Sequence, residues 1–327
     1  MLAKAFTSII TVLAGIGGAL AMYWLLNKAA DLLPKKWERK LRPYFFILPA
    51  YLAITVYLLY PAIYAIIGSF RDRQGKGFVG LENYTKLIGN DGFRNTLFNT
   101  FLWVLIVPGV TIVFGLAVAV LADRLRARGE KFVKTIIFLP MAISMVGAAT
   151  VWRFVYDFQP KGTGQIGALN AIRSGFGDDP IPWLQTSTGH LNTALLMIVL
   201  LWAQVGYAMV LLSAAIKAVP NETIEAARID GADERQAFFR VVVPQIKGTI
   251  ITVGVTVTIM VMKIFDIVYV NTNGQFNTNV IANEFINQLT KNFNYGAASA
   301  IVVLLMVAVL PIMIYQVRHF KSEEAAA

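Results

Sequence analysis

Apolar and polar residues follow one another in long blocks along this chain. Seven blocks are mainly apolar over about 20 residues or more, the length a helix needs to cross a bilayer, and polar segments separate them. The blocks cover residues 6–27, 43–70, 97–122, 133–156, 192–217, 248–271 and 297–317. This pattern predicts an all-α polytopic membrane protein with about seven transmembrane helices.

Composition supports the membrane interpretation and excludes several classes of protein. Hydrophobic residues make up 57% of the 327, more than a soluble domain can bury. The chain has no cysteine and only two distant histidines, His190 and His319, so no disulfide framework, metal site or cysteine nucleophile is expected. The net charge of +10 is typical of membrane proteins with basic cytoplasmic loops, and no nucleic-acid partner is predicted.

The distribution of Lys and Arg predicts the orientation of the spans. With the N-terminus outside, the inside segments hold 18 of these residues and the outside segments hold 10. Basic residues concentrate on the cytoplasmic side. The sequence therefore predicts an outside N-terminus, a cytoplasmic C-terminus and a cytoplasmic location for the polar loop 219–247.

The first span has two interpretations. Ala19-Leu20-Ala21 after an apolar stretch imitates the cleavage site of a secretory signal. However, the apolar run continues to Leu26, and a basic linker over 27–42, interrupted by Pro34, would hold its end inside. We predict a retained accessory helix and linker over 1–42, a six-helix core over 43–320, and a cytoplasmic tail over 321–327.

The polar loop between the fifth and sixth blocks predicts an ordered helix-turn-helix. Pro220 and Asn221 can start a short helix, and Gly231 can adopt the left-handed conformation that ends it. Asp233 and Gln236 have the spacing of a capping box for a second helix, which Pro244 is expected to stop.

This loop resembles the cytoplasmic coupling loop of ABC-importer permeases. The resemblance is carried by Glu225-Ala226-Ala227, Asp230-Gly231-Ala232, Phe239 and Val243-Pro244. It implies the type I ABC importer permease fold, a transport subunit without catalytic residues, and a loop that docks on an ATPase. The residues expected to couple this subunit to the ATPase are Glu225, Ala226, Ala227, Asp230 and Gly231.

The same resemblance implies the partners of the chain. They are a second homologous permease, a dimer of ATP-binding subunits that holds the ATP and Mg²⁺, an extracytoplasmic sugar-binding protein, membrane lipid and a sugar substrate. The external segments around 270–276 and 294–298 resemble those of permeases for α-glucosides and related disaccharides more than those for other solutes. No cofactor is expected on this chain itself.

The resemblance to maltose-type permeases also points to sugar contacts on the helices that flank the loop. The matching positions are Ala203, Gln204 and Tyr207 on one side and Val257, Met260, Val261 and Ile264 on the other. Tyr207 can stack on a sugar ring and Gln204 can bond its hydroxyls. The apolar positions depart from the family's polar pattern, which favours helix packing as their alternative role.

A rival hypothesis is an ion-coupled secondary transporter that works without ATPase partners. Its coupling site would be Lys263 and Asp266, which lie three residues apart within a span. The alternative is that these two side chains pair with each other near the outer end.

Nucleotide-binding motifs do not provide an energy source within this chain. Gly162–Gly167 has the spacing of a dinucleotide fingerprint, but no strand is predicted before it, so we interpret it as a turn. No Walker A loop is present around Gly75-Lys76. A membrane enzyme is not indicated, because no paired catalytic groups are found.

Overall fold

The structure is a computed structural model that describes residues 2–324. It divides into two compact units, Met1–Ile67 and Gly68–Ala327. The predicted division at residues 42 and 43 stays a prediction, because the compactness of the chain does not by itself define domains.

The first unit contains two long helices. Helix α1 is Leu2–Asp31, and α2 (Lys35–Ile54) continues through a π-helical turn (Thr55–Leu59) into α3 (Tyr60–Gly68). The break falls at Pro34 as expected, but Lys35 already begins the next helix, so the predicted linker over 27–42 was too long. Arg42 on α2 donates to Asn27 on α1 at 2.7 Å and to Glu38 at 2.9 Å.

The second unit contains the remaining helices and their connections. In chain order they are α4 (Glu82–Gly89), α5 (Asp91–Asp123), α6 (Ala127–Phe138), α7 (Met145–Val155), α8 (Ala168–Gly175), α9 (Leu191–Lys217), α10 (Asn221–Ile229), α11 (Glu234–Ala237), α12 (Val243–Gln245), α13 (Lys247–Met262), α14 (Asp266–Asn271), α15 (Ile281–Ile286) and α16 (Tyr295–Glu324).

The core of the second unit lies where α5, α9 and α13 pack together. Trp103, Leu200 and Val257 are fully or almost fully buried in it. Small residues allow close approach of two of these helices: a Cβ at Gly115 would lie 2.6 Å from the Cβ of Ala208. Close packing of this kind replaces the hydrophobic effect as the main attraction between helices in lipid.

By length and composition, the described part of the chain contains between five and seven candidate membrane spans. Five helices are long and apolar enough: Phe6–Asp31, Lys35–Gly68, Asp91–Asp123, Thr188–Lys217 and Tyr295–Arg318. Two bent pairs raise the number to seven if each pair is one span: Ala127–Ala142 with Met145–Val155, and Glu234–Gln245 with Lys247–Met262. The prediction of about seven spans agrees with this upper number.

The predicted span 133–156 is not one straight helix. A 3-10 turn, Leu139–Ala142, ends its first half, and the chain bends by 102° before α7. The hydroxyl of Ser144 accepts from the N–H of Gly147 at 3.1 Å and caps the second half. Pro140 and Ser144 therefore mark the bend within the apolar run.

The predicted span 248–271 also ends earlier than expected. Helix α13 stops at Met262, and a new helix, α14, begins at Asp266. Lys263 follows the C-terminus of one helix and Asp266 opens the next, where the backbone partial charges favour a cation and an anion respectively. The positions of the two charges therefore favour two helices separated by a break over one continuous transmembrane helix.

Candidate functional site

The loop between α9 and α13 forms the predicted helix-turn-helix. Pro220 precedes α10, and Gly231 adopts a φ of 87°, the left-handed region that favours glycine. Asp233 accepts from the N–H of Gln236 at 2.7 Å, and Gln236 accepts from the N–H of Asp233 at 3.1 Å, which completes the capping box. The helix continues through Pro244 to Gln245, so Pro244 does not itself stop it, and α13 follows after a bend of 68°.

One side of this loop is anchored to the rest of the unit. Ile224 and Phe238 pack against a small hydrophobic cluster of Val219, Val242 and Ile246. These contacts join α10 and the following helix to the end of α9 and the start of α13. The position of α10 is therefore linked to the two long helices on either side of it.

The other side of the loop is exposed. Glu225, Ala226, Asp230 and Gly231 are exposed, whereas Ala227 is half-buried. Ile229, the last residue of α10, is 86% exposed. The five predicted coupling residues thus lie together on one short helix and its turn.

The predicted sugar contacts are placed in different environments. Gln204 is buried, and its Oε1 has no hydrogen-bond partner among the described residues, while Tyr207 is half-buried one turn later on α9. Val257 and Ile264 are buried in the central core, and Met260 is partly exposed. Val257, Met260 and Val261 lie on α13, but the predicted shared helix face does not reach Ile264, because α13 ends at Met262.

Two further buried polar groups accompany Gln204 and were missed by the sequence reasoning. Trp103 and Thr111 on α5 are fully buried, and neither Trp103 Nε1 nor Thr111 Oγ1 has a hydrogen-bond partner among the described residues. A polar residue inside an apolar span was the available signal. The interior of α5 and α9 therefore contains unsatisfied donors and acceptors within an otherwise apolar core.

A cluster of charges at the ends of α5, α6 and α9 was also missed. Lys134 Nζ lies 2.6 Å from Asp123 Oδ1 and 2.7 Å from Glu130 Oε1. Lys217 forms an ion pair with Glu130, and Ser213 donates to Asp123 at 3.0 Å. The only local signal was the four-residue spacing of Glu130 and Lys134, since Asp123 lies on the preceding helix and Ser213 and Lys217 lie on the distant helix α9.

Lys263 and Asp266 do not form the expected pair. Lys263 is exposed and Asp266 is half-buried, and within the described chain neither has a salt-bridge partner within 4.0 Å. The alternative in which they neutralise each other is therefore wrong for this conformation.

The external loop after α7 contains turns where the sequence has the glycine fingerprint. Gly162 has a φ of 91°, and residues 162–167 form no helix or strand. Asn170 is fully buried and donates to the carbonyls of Asp157 and Ile181, each at 2.9 Å. The predicted turn is therefore present at Gly162.

The fold is that of an ABC importer permease. The chain superposes with a TM-score of 0.72 on a chain of a bacterial ABC transporter involved in the import of the acidic polysaccharide alginate, at 21% identity over 87% of this chain and 96% of that chain. The predicted fold class, an all-α membrane protein with the type I permease fold, is confirmed.

The sequence defines the family more specifically. Residues 96–321 match the family described as the binding-protein-dependent transport system inner membrane component, and the chain belongs to this family. It is therefore a multi-pass transport subunit of the inner membrane.

Relatives in this family resemble the chain over most of its length. The alpha-glucoside transport system permease protein AglF of Rhizobium meliloti is 43% identical over 97% of both chains. The osmoprotective compounds uptake permease protein GgtC of Synechocystis sp. is 41% identical over 85% of this chain and 99% of its own. The trehalose/maltose transport system permease protein MalF of Thermococcus litoralis is 30% identical over 82% of this chain and 89% of its own.

Proposed function

We propose that this chain is the permease subunit of an ATP-driven importer for an α-glucoside or another disaccharide-sized glycoside. The sugar class is supported by the relative named for alpha-glucoside transport, which is similar over 97% of the chain. The trehalose/maltose relative supports the same class of solute.

The observation that carries the ATP-driven mechanism is the exposed face of α10. An ordered helix with an exposed isoleucine and an exposed carboxylate, Glu225, presents a small docking surface outside the apolar spans. Its inner face is packed on Val242 and Ile246 beside α13. A partner that pushes on the outer face thus moves α9 and α13, which is the change required for alternating access.

The chain works in one orientation in the membrane and together with several partner subunits. The N-terminus lies outside and the C-terminus in the cytoplasm, where two ATP-binding subunits bind ATP and Mg²⁺ and hydrolyse the ATP. A second permease completes the pathway, and an extracytoplasmic binding protein delivers the sugar. Within the pathway, Gln204 and Tyr207 contact the sugar, because a buried amide oxygen without a partner can accept a hydroxyl hydrogen.

The orientation can be tested with a single introduced thiol. The chain has no cysteine, so Glu225→Cys provides the only reactive site for a membrane-impermeant maleimide. We expect labelling in inside-out membrane vesicles and protection in intact spheroplasts. The opposite result would place α10 outside and contradict the proposal.

The coupling role can be tested at Gly231, with Gly177 as a matched control. Both glycines have a φ of 87° and no atom within 4 Å of an added Cβ. Valine imposes a similar backbone strain of about 1–3 kcal/mol at each position, but only Gly231 shapes the proposed docking turn. We expect Gly231→Val to lose co-purification of the ATP-binding subunits and Gly177→Val to retain it.

Transport itself is measured in liposomes. We expect uptake of a disaccharide only when ATP and all partner subunits are present. Uptake by this chain alone, driven by an ion gradient, would support a secondary transporter instead. No observation of the structure or its relatives favours that alternative.

A further inference from the structure

Four basic side chains surround the turn between α5 and α6. Arg124, Arg126, Arg128 and Lys131 are all exposed and lie within eight residues. None of the four has a salt-bridge partner within 4.0 Å in the described part of the chain. We call these residues the basic rim.

The neighbouring charges do not neutralise the basic rim. Asp123 and Glu130 are already occupied by Lys134 and Lys217, which form ion pairs with them. The charges of these two carboxylates and two ammonium groups therefore sum to zero. The basic rim therefore leaves four uncompensated positive charges where the long apolar helix α5 ends.

A groove connects the basic rim with apolar surface. It has a volume of about 430 Å³ and runs along α6 beside Val210 of α9. Of the basic rim, Lys131 lines its polar part, together with Thr135, Lys134 and the Glu130 carboxylate that Lys134 and Lys217 neutralise, and Phe138 and Val210 line its apolar part. Seven residues separate Lys131 from Phe138, which corresponds to about 10 Å along a helix. This length is similar to the depth of about 5–10 Å to which apolar helix faces are buried at the boundary of headgroups and acyl chains.

Apolar side chains outside the groove indicate that this part of α6 meets lipid. Phe132 is 66% exposed and Leu139 is 62% exposed. A soluble acidic protein would complement the basic rim but would gain nothing from an apolar groove that continues into the span. A phospholipid with an anionic headgroup complements both parts.

We propose that the basic rim and its groove bind an anionic phospholipid. The lipid phosphate contacts the basic rim, and the first part of one acyl chain lies beside Phe138 and Val210. The site does not depend on the transported solute or on the ATPase partners, so its failure would leave the proposed function intact. Juxtamembrane clusters of Lys and Arg recognise anionic headgroups by the same electrostatic attraction.

The test uses native mass spectrometry of the full-length chain in detergent with added phosphatidylglycerol or phosphatidylcholine. The test variant replaces Arg124, Arg126, Arg128 and Lys131 with Gln. The control variant replaces Lys76, Lys86, Lys161 and Lys291 with Gln, which removes the same charge from exposed positions of the second unit that are scattered along the sequence. Gel filtration and circular dichroism establish that each variant is folded.

We expect the unmodified chain to retain phosphatidylglycerol at least tenfold better than phosphatidylcholine. The test variant should lose at least tenfold of that retention, and the control variant should lose less than twofold. Equal retention by the test variant, or equal binding of both lipids to the unmodified chain, would overturn the proposal.

Two further measurements keep the proposal testable if the test variant does not fold. The single change Lys131→Gln should weaken phosphatidylglycerol retention about threefold. Unchanged retention would contradict binding of the lipid in the groove. Inorganic phosphate at the same concentration should not compete with the lipid, whereas full competition would indicate a phosphate site without a lipid. Loss of ATP-binding subunits with unchanged lipid retention would assign the basic rim to a protein contact instead.

Discussion

The contact between α9 and the bend of α6 depends on the absence of a side chain at Gly206. A Cβ added there would lie 2.4 Å from the carbonyl oxygen of Ile137 and 2.7 Å from the Cα of Phe138. Both neighbours are backbone atoms, so no side-chain rotation relieves the overlap. Gly206→Ala should therefore push the two helices apart.

The size of the effect follows from the distances. Ordinary contact begins at 3.4 Å, so the backbone must move by about 1 Å. Overpacking of this kind costs about 1–3 kcal/mol. Alanine regains about 0.5–1 kcal/mol through its better helix propensity. The expected net result is a loss of stability of up to about 2.5 kcal/mol, with a central value of about 1 kcal/mol.

The assay is thermal unfolding of the purified chain in detergent, with Gly109→Ala as the matched control. Gly109 also lies inside a long helix of the second unit, but an added Cβ there would meet no atom within 4 Å. We expect a lower unfolding temperature for Gly206→Ala and an equal or higher one for Gly109→Ala. Equal shifts for the two variants would refute the packing argument.

Three further predictions follow from local contacts. Lys134→Met leaves two carboxylates incompletely neutralised and should lower the free energy of unfolding by at least about 1 kcal/mol. Lys86→Met, in an exposed ion pair, should lower it by less than about 1 kcal/mol, and unfolding in detergent measures both changes. Backbone N–H groups that donate to Asp72 hold the pKa of this carboxyl below its usual range. The loop around Asp72 should therefore be fully ordered above the ordinary carboxyl pKa and lose order as the pH falls through the lowered value. Amide exchange measures this loss of order, and Asp72→Asn should abolish its pH dependence. Gly296→Ala places a Cβ 2.2 Å from the carbonyl oxygen of Arg71, so limited proteolysis should cut the 70–80 loop faster than in the unmodified chain, and an unchanged rate would contradict this contact.

The sequence by itself determined the features that depend on local chemistry. The apolar blocks predicted the candidate spans, because burial in lipid requires a minimum length of apolar helix wherever it occurs. Gly231 and the Asp233–Gln236 pair predicted the turn and the capping box of the α10 loop, because all the groups involved lie within a few residues.

Only the tertiary structure decided which polar and apolar groups come together across the chain. The cluster of Asp123, Lys134 and Lys217 joins the consecutive helices α5 and α6 to the distant helix α9, and no spacing rule connects the three residues. Periodicity placed Val257 on a helix face but could not show that this face packs into the core. Hydropathy likewise could not locate the bend at Ser144, because an apolar run has the same average whether its helix is straight or broken. Local sequence fixes backbone preferences, whereas burial and ion pairing depend on which distant helices become neighbours.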